Sequence, residues 1–253
     1  MKLEGAGAIV TGGASGLGRA VAELFAGAGA KVVVFDLNAE AAAKTAQEIG
    51  GVAVAGDVAN EEDADRAVDE VIESFGNLRI LVNCAGVGTA GRIVGREGPQ
   101  PLADFEKVIR INLIGSFNML RVAAARMSAQ EPLEDNERGV IVNTASVAAF
   151  DGQIGQAAYA ASKGGIVSMA LPAARELARF GIRVNTIAPG IFLTPLLQSL
   201  PEEVQTSLGA SIPFPSRLGK PAEFAELVRF MVENRYLNGE VVRLDGAIRM
   251  APK

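Results

Sequence analysis

Seven short runs of apolar, often β-branched residues recur along the chain, and longer Ala- and Leu-rich stretches separate them. The runs are 8–10, 31–36, 52–56, 79–83, 139–144, 182–187 and 239–244. Because they are continuously apolar, with no strict alternation of polar and apolar residues, they predict strands covered on both faces. Parallel pairing needs a crossover between consecutive strands, and the intervening helical patterns supply it. The expectation is a single doubly wound α/β domain over 1–253, Rossmann-type, with a seven-stranded parallel sheet.

Three segments break this rhythm, at 87–101, 128–139 and 189–217. The third mixes proline with a leucine-rich stretch able to form a short helix, which predicts a flap over a ligand. Asn60, followed by Glu61, Glu62 and Asp63, reads as a helix cap with acidic groups at the positive end of the dipole. These acids lack the glycine and terminal glutamate spacing of an EF-hand, so no metal site is expected.

Composition removes several chemistries. The chain has no histidine and one cysteine, Cys84, which excludes Ser-His-Asp and Cys-His catalysis and any internal disulfide. The formal charge of -5 and the lack of a basic run argue against a nucleic-acid partner. The opening apolar run is too short for a signal peptide, and no uninterrupted apolar stretch reaches membrane-spanning length, so a cytoplasmic protein without a membrane partner is expected.

The turn Thr11–Gly18, "TGGASGLG", lies between the first strand and the first helix. Its Gly12, Gly16 and Gly18 permit a tight turn and let amides at a helix N-terminus approach a pyrophosphate. Asp36 ends the second strand, eighteen residues beyond Gly18, where a carboxylate binds ribose hydroxyls. It would repel a 2′-phosphate, and Leu37 and Asn38 offer no cation, so NAD is the expected cofactor.

In an open α/β sheet the ligand lies beyond the carboxyl ends of the strands. Those ends carry Gly12, Asp36, Asp57 with Val58, the run Asn83–Gly86, Ser146, and Pro189 with Gly190. Thirteen residues after Ser146 comes Tyr159, and Lys163 follows one helical turn later. An ordinary phenol has a pKa of about 10, and a neighbouring cation favours the phenolate. Tyr159 is thus the candidate acid/base, Lys163 its tuner, and Ser146 the group that orients a substrate oxygen. The alternative is a plain amphipathic surface pair.

In order and spacing, Thr11-Gly12-x3-Gly16-x-Gly18, Asn83-x-Ala85-Gly86, Ser146, Tyr159-x3-Lys163 and Pro189-Gly190 resemble the short-chain dehydrogenase/reductase family. The resemblance covers nearly the whole chain. It implies a fourth catalytic residue, Asn112, acting in a water-mediated proton relay through its backbone and Lys163; packing or a helix-kink hydrogen bond is the other role open to it.

Within the family, the segments at 138–167, 171–197, 212–228 and 237–250 resemble the type II 3-hydroxyacyl-CoA dehydrogenases. That resemblance implies NAD-dependent, reversible oxidation of the 3-hydroxyl of short or branched 3-hydroxyacyl-CoA, with a hydroxysteroid or other secondary-alcohol dehydrogenase as the rival reading. A non-catalytic NAD sensor is a remoter one. Implied cofactor contacts are Ser15, Leu17, Asp57, Val58, Cys84 through its backbone, Ala85, Phe192 and Thr194, beside the glycines, Asp36, Tyr159, Lys163, Pro189 and Gly190. Ser146 and Tyr159 would touch substrate. Arg92, Arg96 and Arg217 are the candidate cations for CoA phosphates, with solvated loop charges as the alternative. Gly164, Gly165 and Pro172, in the helix after Tyr159, imply close packing at a subunit interface of a homotetramer.

Overall fold

The computed structural model describes residues 1–252, the side chain of Leu196 apart. Its first half alternates β1 (Gly7–Thr11), α1 (Gly16–Gly27), β2 (Lys31–Asp36), α2 (Ala39–Ile49), β3 (Val52–Ala55), α3 (Glu61–Phe75) and β4 (Ile80–Asn83). A two-residue hairpin, β5 (Val94–Gly95) with β6 (Gly98–Pro99), interrupts the pattern; nothing in its sequence is periodic enough to predict it. Then come α4 (Leu102–Ile109), α5 (Gly115–Ser128), β7 (Gly139–Thr144), α6 (Ala148–Asp151), α7 (Ala157–Leu177) and β8 (Ile182–Pro189). The flap contains α8 (Pro195–Gln198) and α9 (Glu202–Ala210), and the chain closes with α10 (Pro221–Glu233) and β9 (Val241–Leu244).

The main sheet has seven parallel strands in the order β3-β2-β1-β4-β7-β8-β9. The winding reverses between β1 and β4, and a crevice opens at such a switch point, beyond the carboxyl ends of the strands.

Successive residues of each strand face opposite helical layers. Ala8, Val10, Val32, Val34 and Val142 pack with Val21 and Phe25 of α1 and Phe224, Val228 and Met231 of α10. Ile9, Val33, Phe35, Leu81 and Ile141 pack with Ala67 and Val71 of α3 and Met119, Ala123 and Met127 of α5. Both faces are covered, which is why every residue of β1, β4, β7 and β8 is buried.

Local chemistry sets the helix ends. Asn60 accepts from the Asp63 amide at 2.9 Å and starts α3, and Gly76 ends it at a φ of 78°. Pro172 stands inside α7, where proline costs about 3 kcal/mol against alanine. Gly165 lets that helix approach Leu113 closely, since a Cβ there would sit 2.7 Å from its side chain, whereas Gly164 faces open space.

Helices α4 and α5 form one rod, Leu102–Ser128. By length and composition alone it could cross a membrane, yet half of its most apolar window is buried within the fold. A π turn at Arg110–Ile114 joins its two parts, with the Gly115 amide bonding back to the Arg110 carbonyl. Such turns place an extra residue into a helix, often at a functional site; here the turn contains Asn112.

Candidate active site

The strand ends surround a cavity of about 740 Å³. Its nucleotide half is built by the turn after β1. Gly12 and Gly16 have φ of 64° and 54°, the left-handed region that glycine enters without penalty. A Cβ on Gly18 would lie 2.2 Å from the Gly12 carbonyl oxygen, so only glycine fits where α1 meets the turn. Ser15 caps α1 in extended conformation, its side chain makes no capping bond, and the first turn carries no acid. The helix therefore presents amides and the positive end of its dipole to the cavity.

Thr11 braces this half. Its Oγ1 accepts from the backbone amides of Cys84 and Ala85, both at 3.1 Å, joining the glycine turn to the end of β4. Asp36 accepts from the amides of Ala14 at 3.1 Å and Asn38 at 3.0 Å, which fixes its carboxylate at the rim. Asp57 is held by its own amide bond to Asp63 and by accepting from Ala59, both at 2.9 Å.

In the catalytic half, Ser146 follows β7 and is buried, and Tyr159 lies in the first turn of α7. A bond from the Val147 amide to the Pro189 carbonyl, at 3.0 Å, ties the serine segment to the end of β8. Burial raises the Tyr159 phenol above its ordinary value, and a hydrogen bond with Ser146 pulls the other way. Lys163 is only 4% exposed, and its Nζ donates to the Thr144 carbonyl at 2.8 Å while lying 5.7 Å from the centre of the Tyr159 ring. Burial drives its ammonium down to about 8, opposed by the nearby Cys84.

Asn112 sits behind the cavity wall. Its Nδ2 donates to the Val87 carbonyl at 2.9 Å and to Ser162 Oγ at 3.0 Å, and its Oδ1 accepts from the Val87 amide at 2.8 Å. It thereby shapes the strand-end segment that passes over Tyr159. Its carbonyl accepts from Ser116 Oγ at 2.6 Å.

The model of the family described as short chain dehydrogenase matches residues 6–205. The chain belongs to the short-chain dehydrogenase family. Its relatives include proteins named 3-hydroxyacyl-CoA dehydrogenase type-2 from Drosophila melanogaster and Homo sapiens. The first is 53% identical, covering 99% of this chain and all of the fly protein; the second is 52% identical, covering 99% and 97%. A crystal structure titled 3-hydroxyacyl-CoA dehydrogenase type-2, from Mycobacterium avium, superposes with a TM-score of 0.95 at 46% identity over 98% of both chains.

Membership of this dehydrogenase family implies a nicotinamide dinucleotide, NAD(P), and the glycine cradle fits one, since backbone approach at Gly12 and Gly18 excludes any side chain. Of the catalytic and cofactor-binding residues expected from sequence, all but Asn112 line the cavity, from Gly12, Ser15, Gly16, Leu17, Gly18 and Asp36 through to Pro189, Gly190, Phe192 and Thr194. Phe192 packs edge-on against Phe224, their centroids 6.3 Å apart. Partly buried Cys84 has its thiol pushed up to about 11 by burial, so its contribution to the wall is a backbone and a neutral sulfur.

Lys163 lies beside the Tyr159 ring, and its ammonium donates to the Thr144 carbonyl. Arg217 forms a two-pronged pair with Glu223 at 2.9 and 2.7 Å, which occupies it within the flap base. Arg92 and Arg96 lie in the exposed 87–101 segment. Lining residues that the sequence did not mark include Val147, Gln156, Ile191, Leu197 and Met250. None belongs to a spaced motif, so no local signal points to them.

Proposed function

We propose that this dehydrogenase uses NAD to oxidise the 3-hydroxyl of short or branched 3-hydroxyacyl-CoA thioesters, and runs the reverse reduction with NADH. The observation that carries the substrate class is identity above one half, spread over the whole chain, with relatives named for that activity. The hydride chemistry is supplied by the nicotinamide when bound. The amides of the Gly12–Gly18 turn would hold the pyrophosphate, Asp36 the adenosine ribose, and Tyr159 and Lys163 the other ribose. In oxidation, Tyr159 takes the proton from the substrate hydroxyl. Ser146 orients that oxygen and donates to it as charge develops in the reverse direction. Lys163 holds positive charge beside the phenol, and Asn112 keeps the wall above it in place. Incubation with NAD and 3-hydroxybutyryl-CoA is expected to give NADH and acetoacetyl-CoA in equal amounts; nucleotide binding without any turnover would favour a sensor instead.

The choice of NAD over NADP rests on Asp36, followed by the uncharged Leu37 and Asn38. Its carboxylate would face a 2′-phosphate at close range. Asp36→Ala is expected to lower the ratio of kcat/KM for NADH over NADPH by about tenfold or more, a change of roughly 1.4 kcal/mol. An unchanged ratio would place the discrimination elsewhere.

The same reading makes the protein a homotetramer of the reducing cytoplasm. Leu102, Ile114, Phe117 and Leu171 leave large apolar side chains exposed along the α4–α5 rod and α7, surfaces that association would cover. Light scattering is expected to give four times the mass of the chain at micromolar concentration, and a monomer would refute the assembly. Recovery of the native protein in an organelle fraction would refute the location.

A further inference from the structure

After β9 the chain reverses at Gly246 and Ala247, whose φ angles are 58° and 67°, and returns across the mouth of the site. Met250 of this tail lines the cavity with Gln156, Tyr159 and Val147. Its neighbours are tied down. The Ile154 amide donates to the Pro252 carbonyl at 3.0 Å, Gln153 Nε2 donates to the Ala251 carbonyl at 2.9 Å, and the Phe214 amide donates to the Gly246 carbonyl at 3.3 Å.

One ion pair organises the crossing. Asp151, at the end of α6, accepts from both terminal nitrogens of Arg243 at 3.0 and 2.6 Å and from the backbone amide of Met250. Arg243 also donates to Asp245 at 2.8 Å and to the Ile248 carbonyl at 3.1 Å. The two side chains are 20% and 16% exposed, so solvent competes little for them. Helix α6 begins just after Ser146. The pair therefore joins the segment carrying Ser146 to the strand carrying the tail, and fixes the backbone of Met250 between them.

We propose that Met250, held by Asp151 and Arg243, is the wall that limits the length and branching of the acyl chain. The proposal rests on reading this cavity as a 3-oxoacyl-CoA site. Near Tyr159 the lining residues Val87, Gly88, Val147 and Ala148 are short, and the long side chains are the polar Gln156 and the apolar Met250, so the thioether decides how much apolar room an acyl group finds. A flexible methionine fills irregular space well, and each methylene in an apolar pocket changes kcat/KM by at least about tenfold. Asp151 and Arg243 are positioning residues: they act on the acyl chain only through the tail.

The test compares kcat/KM with NADH for acetoacetyl-CoA and 3-oxooctanoyl-CoA in the wild type, Met250→Ala, Asp151→Asn and the double variant. Met250→Ala is expected to raise the long-to-short ratio about tenfold. Asp151→Asn should shift the ratio in the same direction and speed hydrogen exchange at 248–252, and in its background Met250→Ala should add less than it does alone. A ratio unchanged within about twofold in Met250→Ala would overturn the wall, and an equal loss on both substrates in Asp151→Asn would overturn the clamp. If Met250→Ala does not fold, Met250→Val carries the same expectation. If the wild type reduces simple ketones but neither thioester, the substrate reading fails; the variants are then compared on a small and a bulky ketone, where an unchanged ratio still overturns the wall.

Discussion

Replacing Tyr159 by phenylalanine is expected to cut kcat/KM roughly a thousandfold, within the range that one acid/base group commands, while the dissociation constant for NADH stays nearly the same. The variant removes one oxygen from a packed ring and leaves the glycine turn, Thr11, Asp36 and Lys163 untouched, so all but one of the cofactor's expected contacts survive. The chain has no histidine, and the group hydrogen-bonded to Ser146 with a proton to exchange is the Tyr159 phenol. The direction of the phenol's shift adds a signature. Burial raises it, so at neutral pH Tyr159 is a proton donor and suits carbonyl reduction. The reverse oxidation needs the phenolate and is expected to climb as the solution is made alkaline, whereas reduction falls only there. Steady-state rates in both directions across pH, with fluorescence titration of NADH, check both parts. Retained turnover in Tyr159→Phe would remove the residue from its role.

The second large effect is a trade between function and stability at Lys163. Replacement by methionine is expected to reduce turnover by about a hundredfold or more, because the charge beside the phenol disappears. The same change should stabilise the ligand-free protein at neutral pH. Burial lowers the ammonium from an ordinary 10.5 to about 8, so the folded state holds this proton less firmly than the unfolded chain does. The cost of burying the charge is full below about pH 8, on the order of 3 kcal/mol from the size of the shift, and it lifts as pH rises from about 8 to 10.5. Against this stands the lost bond to the Thr144 carbonyl, about 1 kcal/mol. The net expectation is a gain of about 1 to 2 kcal/mol at pH 7 for the variant, and a rise in wild-type stability across that alkaline window which the variant lacks. Urea melts at neutral and alkaline pH read both. A variant less stable than the wild type at neutral pH would show that the ammonium is better compensated than its surroundings imply.

The parts of this molecule that repeat were readable in the sequence. The apolar runs marked the strands of the seven-stranded sheet, because a strand buried on both faces has to be apolar throughout. The glycine turn was readable because backbone contact between Gly12 and Gly18 admits no other residue. Apart from the local β5–β6 hairpin, the unpredicted features depend on contacts between distant segments. Strand β8 runs on to Pro189 because it pairs there with Leu244 of β9. The π turn at Asn112 interrupts an apolar helix whose pattern does not mark it, and the partners of Asn112, Val87 and Ser162, lie in two other segments. The four-residue spacing of Tyr159 and Lys163 marks a shared helical face, but not that the Thr144 carbonyl draws the ammonium aside. Met250 is held at the cavity by contacts far apart in sequence, among them the meeting of Asp151 and Arg243 across 92 positions of chain.

A site that reduces 3-oxoacyl thioesters with NADH, as proposed, must favour acetoacetyl-CoA over a rigid steroid ketone. Loss of NADH absorbance with each, under identical conditions, gives two values of kcat/KM. The thioester is expected to exceed the steroid by at least about tenfold, the margin that a well-matched pocket supplies. A steroid preferred over acetoacetyl-CoA, or a thioester turned over no faster than background, would contradict it.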